Sequence, residues 1–140
     1  MSARSQIARA WAPAVAYMAV IWIASSMQLP DLGVEHVPLA DKGVHFLEYG
    51  ALGLLVAHAA MRTWPAHAWL RTAALAVLVT VAWGVLDELH QSFVPGRSAE
   101  AMDIVADFLG AVAGAGARVA LHLVARRVRT SRVRSPGSRA

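Results

Sequence analysis

Four stretches of about 20 predominantly apolar residues follow one another in this chain, each long enough to cross the hydrocarbon of a bilayer. They run from about 8 to 27, 43 to 61, 72 to 93 and 103 to 125. Backbone polar groups in lipid must be satisfied within the segment, so each stretch is expected to be helical. The fold class is therefore all-α: an integral membrane four-helix bundle. Composition agrees. The 140 residues are 57% hydrophobic and 16% charged, whereas an average soluble domain carries roughly 25% charged residues. There are no cysteines, which excludes disulfides and thiolate metal sites but leaves the redox compartment open.

The basic charge is not spread evenly. Six of the thirteen Lys and Arg residues lie after residue 125. A basic segment beside a membrane span is a topology signal that contacts anionic lipid, so no nucleic-acid partner is expected. Residues 1–125 are read as the membrane domain, and 126–140 as a disordered, basic cytoplasmic tail. The first stretch follows Arg4 and Arg9 and ends in "ASS", the pattern of a competing signal-peptide reading. It is long for a signal's apolar region, and is read as a retained anchor whose interfacial start is marked by Trp11 and Pro13. Arg62 and Arg71 flank the middle connection, whereas the other two loops hold one basic residue each, Lys42 and Arg97. Both termini are then cytoplasmic, and the first and third loops face outward.

With that orientation, polar residues from three helices reach the outer end of the bundle. Asp41, His45 and Glu48 share one stripe of the second helix; Asp87, His90 and Gln91 share a face of the third, with Glu88 about 100° away. Asp103 and Asp107 continue into Gly110 and Gly114 on the fourth, a small-residue pair that permits close backbone approach. Ionisable groups within a span are costly and face a bundle interior or a wet cavity. Simple pairing, Arg97 with Asp103 and Lys42 with Asp87, would explain one such residue more readily than a convergence from three helices. Crowded carboxylates beside two histidines suit general acid–base chemistry. They are also compatible with an oxygen-rich divalent-cation site. No spacing is diagnostic of one, so no metal ligand is assigned and the cofactor is left unknown.

The segments "DKGVHFLEYGALG" and "DELHQSFVPGRSAEAMDIVADFLGAVAG" resemble the VanZ-like family of small bacterial membrane proteins, named for a teicoplanin-resistance accessory. The family pattern falls on Asp41, Lys42, His45, Phe46 and Tyr49, then on Asp87, Glu88, Gln91, Pro95, Gly96, Arg97 and Asp103. Its usual Asn one turn later is Asp107 here, which removes an amide donor and adds a charge. The resemblance implies a polar site at the outer membrane face, acting on lipid or polyprenyl-linked head groups of the cell envelope. On that reading His45, Glu48, Asp87, Glu88 and Asp103 are the catalytic candidates: His45 is nucleophile or base, oriented by Glu48 or Asp87. Lys42, Arg97, Gln91, Asp41, Tyr49 and Asp107 line the ligand. The partners are membrane lipids or lipid-linked envelope intermediates. The alternative is a non-catalytic protein that binds or shields such a ligand and contributes to glycopeptide resistance.

Overall fold

Each apolar stretch forms one helix: α1 (Ala3–Ser25), α2 (Ala40–Thr63), α3 (Trp69–Gln91) and α4 (Ala101–Arg134). The computed structural model describes residues 2–27, 40–65 and 68–134. All four helices are long and apolar enough to cross a membrane. The first loop, with Pro30 and Pro38, and His67 in the middle connection lie outside the described residues.

The helix ends depart from the sequence reading where local chemistry overrides hydropathy. Ser2 caps α1, its side chain accepting from the Ser5 backbone N–H at 3.3 Å, so the helix begins before the apolar run does. Pro13 therefore lies inside α1 instead of opening it. Trp11 also lies within the helix, where its indole N–H donates to Thr63 Oγ1 of α2 at 2.9 Å. At the far end α4 continues to Arg134, which corrects the expectation of a disordered tail from residue 126. Residues 126–134 contain neither Gly nor Pro, and their arginines are good helix formers that complement the helix C-terminus. Residues 135–140 lie outside the described region.

The packing inverts the pattern of a soluble bundle. Small residues fill the inside: Ala14, Ala57, Ala76, Ala111 and Ala115 are buried, around the larger Ile21, Tyr49, Leu52 and Val56. Large apolar side chains such as Leu47, Leu78 and Leu121 point outward, which suits lipid and would be costly against water. The most extensive pairing is α2 with α4, while α1 lies against α2 and α3 but not α4.

Glycine decides the α2–α4 approach. A methyl group at Gly114 would collide with the Gly50 carbonyl, and one at Gly110 with the Phe46 carbonyl. A methyl at Gly53 would come within 2.7 Å of the Ala111 carbonyl oxygen. The expected GxxxG contact is thus present and is answered by glycines on the opposing helix. By contrast, a methyl at Gly116 would meet nothing within 4 Å. Gly114→Ala should lower the thermal midpoint in detergent by several degrees, as overpacking of roughly 1–3 kcal/mol implies. Gly116→Ala should leave the midpoint unchanged or slightly raised, since it adds only helix propensity.

Candidate functional site

The C-terminal ends of α1 and α3 and the N-terminal ends of α2 and α4 meet at one end of the bundle. Four acids are buried there: Asp87, Glu88, Asp103 and Asp107, each at most 5% exposed. Their environments differ, and the differences separate structural from chemical roles.

Asp87 is satisfied by neutral donors. Ser25 Oγ of α1 donates to its Oδ1 at 2.6 Å, while Gln91 Nε2 and Tyr49 Oη reach its Oδ2 at 3.1 and 3.4 Å. One carboxylate therefore ties α1, α2 and α3 together. It does not contact His45, so the expectation that Asp87 orients that histidine is replaced.

Asp107 takes that part. Its Oδ1 lies 3.0 Å from His45 Nδ1. Asp107 can be accommodated because α3 has Gly84 opposite it, where an added methyl would sit 2.6 Å from Asp107 Oδ2. That Oδ2 is buried and has no hydrogen-bond partner among the described residues. The Tyr49 ring lies parallel to the imidazole, with centroids 6.3 Å apart. With Nδ1 occupied, His45 presents Nε2 toward Asp103 Oδ2, 4.0 Å away. His45 thus has an oriented ring and one nitrogen turned into the cluster.

The two cations are used unequally. Lys42 Nζ lies 2.6 Å from Asp41, 2.8 Å from Glu100 and 2.7 Å from Asp103 Oδ1, the last a charge contact without a well-aligned hydrogen bond. It pins the start of α2 to the start of α4, in place of the suggested pair with Asp87. Arg97 forms no ion pair among the described residues, so the suggested bridge to Asp103 is not made. Arg97 follows a tight turn in which its N–H donates to the Val94 carbonyl at 3.1 Å and Gly96 adopts φ 82°, the pattern Pro-Gly favours. Its charge reaches Glu48, which is half-buried on α2 and also within electrostatic range of His45, Asp87 and Asp107.

Glu88 Oε2 accepts the Glu100 backbone N–H at 3.0 Å and so caps the entry to α4. Its Oε1 is buried without a partner among the described residues. His90 turns away from the cluster: it stacks on Trp22 at 4.1 Å and meets Ser26 Oγ at 2.8 Å. Below this pair, α1 and α3 border a groove of about 620 Å³, lined only by apolar and aromatic residues including Val15, Met18, Trp22, Trp83 and Leu86. Trp22 and Leu86 are near neighbours in the chain of Ser25 and Asp87, which do not themselves line the groove. At the opposite end of the bundle, Arg118 Nε donates to His58 Nδ1 at 3.2 Å, joining α4 to α2.

Residues 4–122 match the family model described as VanZ/LLP1. The chain belongs to the VanZ/LLP1 family. The match spans all of α1 to α3 but the first residue, and α4 as far as His122. Both charged segments of this VanZ/LLP1 protein lie inside it. No curated protein and no solved structure matches the chain.

Two contributors escaped the sequence reading. Ser25 was legible only as the end of an apolar run, although a hydroxyl at that level of α1 faces the level of Asp87. Gly84, three residues before Asp87 on α3, carried no signal until Asp107 was placed against it. The roles of the two adjacent serines are testable. Ser25→Ala would strip a buried carboxylate oxygen of its hydrogen bond and should cost about 1–3 kcal/mol. Ser26→Ala, at an exposed position, should change the thermal midpoint little.

Proposed function

We propose that this VanZ/LLP1 protein binds, and acts chemically on, the anionic head group of a lipid or polyprenyl-linked envelope intermediate at the outer face of the bacterial inner membrane. The observation that carries the reading is the His45–Asp107 pair. A buried carboxylate on Nδ1 fixes the ring and leaves Nε2 for proton transfer or attack, the division of labour that histidine catalysis uses. Glu88 and Asp103 sit close enough to serve as proton donors, and Glu48 lends charge from one turn along α2.

Three further features support a lipid-linked substrate. The cluster lies at the helix ends, where head groups sit. Arg97 is a planar cation without a carboxylate partner among the described residues, positioned by a rigid turn, and suits bidentate hold of a phosphate. The apolar groove between α1 and α3 offers room for a hydrocarbon chain. Lys42, by contrast, is committed to three carboxylates and braces the site. The distribution of arginine, above all the basic end of α4, supports the outer orientation.

Purified protein in lipid vesicles should release the head group from at least one member of a panel of phosphate-bearing diacyl and polyprenyl lipids. His45→Asn should reduce turnover by about 100-fold or more, the usual weight of an acid–base group. Arg97→Lys should impair it strongly while expression and insertion stay normal. No turnover across the panel would remove the enzymatic reading. Lipid binding that depends on Arg97 but not on His45 would instead identify a shielding protein.

The orientation is tested separately. In this cysteine-free chain, a single cysteine at Ser98 should react with an impermeant maleimide on intact cells, and one at Ser131 only after permeabilisation. Labelling of Ser131→Cys from outside would place the site on the cytoplasmic face.

A further inference from the structure

The site poses an electrostatic problem for an anionic head group. Glu88, Asp103 and Asp107 are all buried, and the nearest ammonium, Lys42, is shared among Asp41, Glu100 and Asp103. Buried carboxylates with no counter-charge are expensive, and a phosphate brought among them would add repulsion.

The positions of the donor atoms suggest what resolves it. A ring nitrogen of His45 and one carboxylate oxygen each from Glu88 and Asp103 lie within 4.8 Å of one another. His45 Nε2 and Asp103 Oδ2 are 4.0 Å apart, a gap that a cation about 2.0–2.2 Å from each donor would span. Two independent observations point to a ligand at this place. Glu88 is 4% exposed, yet its Oε1 has no partner among the described residues while Oε2 is used by the Glu100 N–H. The second is the Asp107 contact: a carboxylate on Nδ1 of a histidine whose Nε2 faces other donors is the arrangement that orients metal-binding imidazoles. The neighbouring trio Asp41, Glu100 and Asp103 also clusters its oxygens, but there the Lys42 ammonium already fills the cation's place.

We propose that His45 Nε2 and the carboxylates of Glu88 and Asp103 bind one divalent cation, with Asp107 as the positioning residue behind His45. One nitrogen and two oxygens favour an ion of the Mn2+ or Zn2+ type over Ca2+, which takes oxygen alone. Three protein ligands leave coordination positions open for phosphate oxygens. With the cation bound, His45 Nε2 is a ligand and no longer a free base or nucleophile, and Glu88 and Asp103 are ionised. The cation would then take over from the acid–base roles assigned above by polarising the phosphate and placing it beside Arg97. The coordination stands on the geometry alone, but its use for a head group rests on the proposed function.

The test uses the full chain, purified in detergent, treated with chelator and titrated with Mn2+ alone. Free Mn2+ is read from its electron paramagnetic resonance signal. One Mn2+ per chain is expected. Glu88→Gln, which keeps shape and removes charge, should weaken binding at least tenfold, and Asp107→Asn by about 10–100-fold as loss of a supporting carboxylate does. Glu100→Gln, whose side chain reaches only Lys42 and which keeps its backbone N–H on Glu88, should bind as the wild type. Absence of stoichiometric binding, or binding unchanged by Glu88→Gln, overturns the site. Because no lipid is present, the two proposals fail separately. Mn2+ binding without turnover of any head group leaves the cation site and removes the reaction. Full turnover by chelated protein that binds no Mn2+ does the reverse.

Discussion

The backbone contact between α2 and α4 is the constraint on which the rest of the molecule depends. Gly50 and Gly53 on one helix meet Gly110, Ala111 and Gly114 on the other so closely that a methyl added at Gly53, Gly110 or Gly114 would strike a carbonyl oxygen. In lipid, where apolar side chains gain little by leaving the solvent, such close packing is a main source of helix association. It also fixes register. His45 lies five residues before Gly50, and Asp107 three before Gly110, so the seam that joins the helices also brings the imidazole to the carboxylate. The same register carries Lys42 to Asp103 and Glu100.

Around that seam the acids divide the work. Asp87 is the structural one, held by a serine, a tyrosine and a glutamine from three helices. Neutral donors can hold a carboxylate in a low-dielectric interior without adding a second buried charge. Asp107, seated against Gly84, positions His45. Glu88 spends one oxygen on the start of α4 and leaves the other unpaired. Loss of Asp87 would therefore loosen the bundle, whereas loss of Glu88 would alter the site's chemistry.

Much of this was legible in the chain. The four helices followed from length and apolarity, and the GxxxG contact from Gly110 and Gly114. The convergence of charged ends followed from helix geometry once the spans were ordered. Pairing was the part that hydropathy and helical spacing do not encode. Asp87 and Asp107 sit at similar depths, and only the crossing of α2 and α4 gives the second to His45. Lys42 turned to α4 for the same reason. Ser25 and Gly84 were silent because a hydroxyl in an apolar run and a glycine in a span have many uses. The α4 overrun shows the limit of reading ends from polarity: arginine ends a hydrophobic run without ending a helix.

The assignment of Asp107 to His45 can be read directly from the imidazole. In chelator-treated protein labelled with 15N-histidine, the His45 ring signals are identified among the six histidines by their loss in His45→Asn. Asp107→Asn should then move the Nδ1 signal of His45 far more than Glu48→Gln or Asp87→Asn does, with the other five histidines unmoved. A His45 spectrum indifferent to Asp107→Asn but displaced by Glu48→Gln would contradict the site as described.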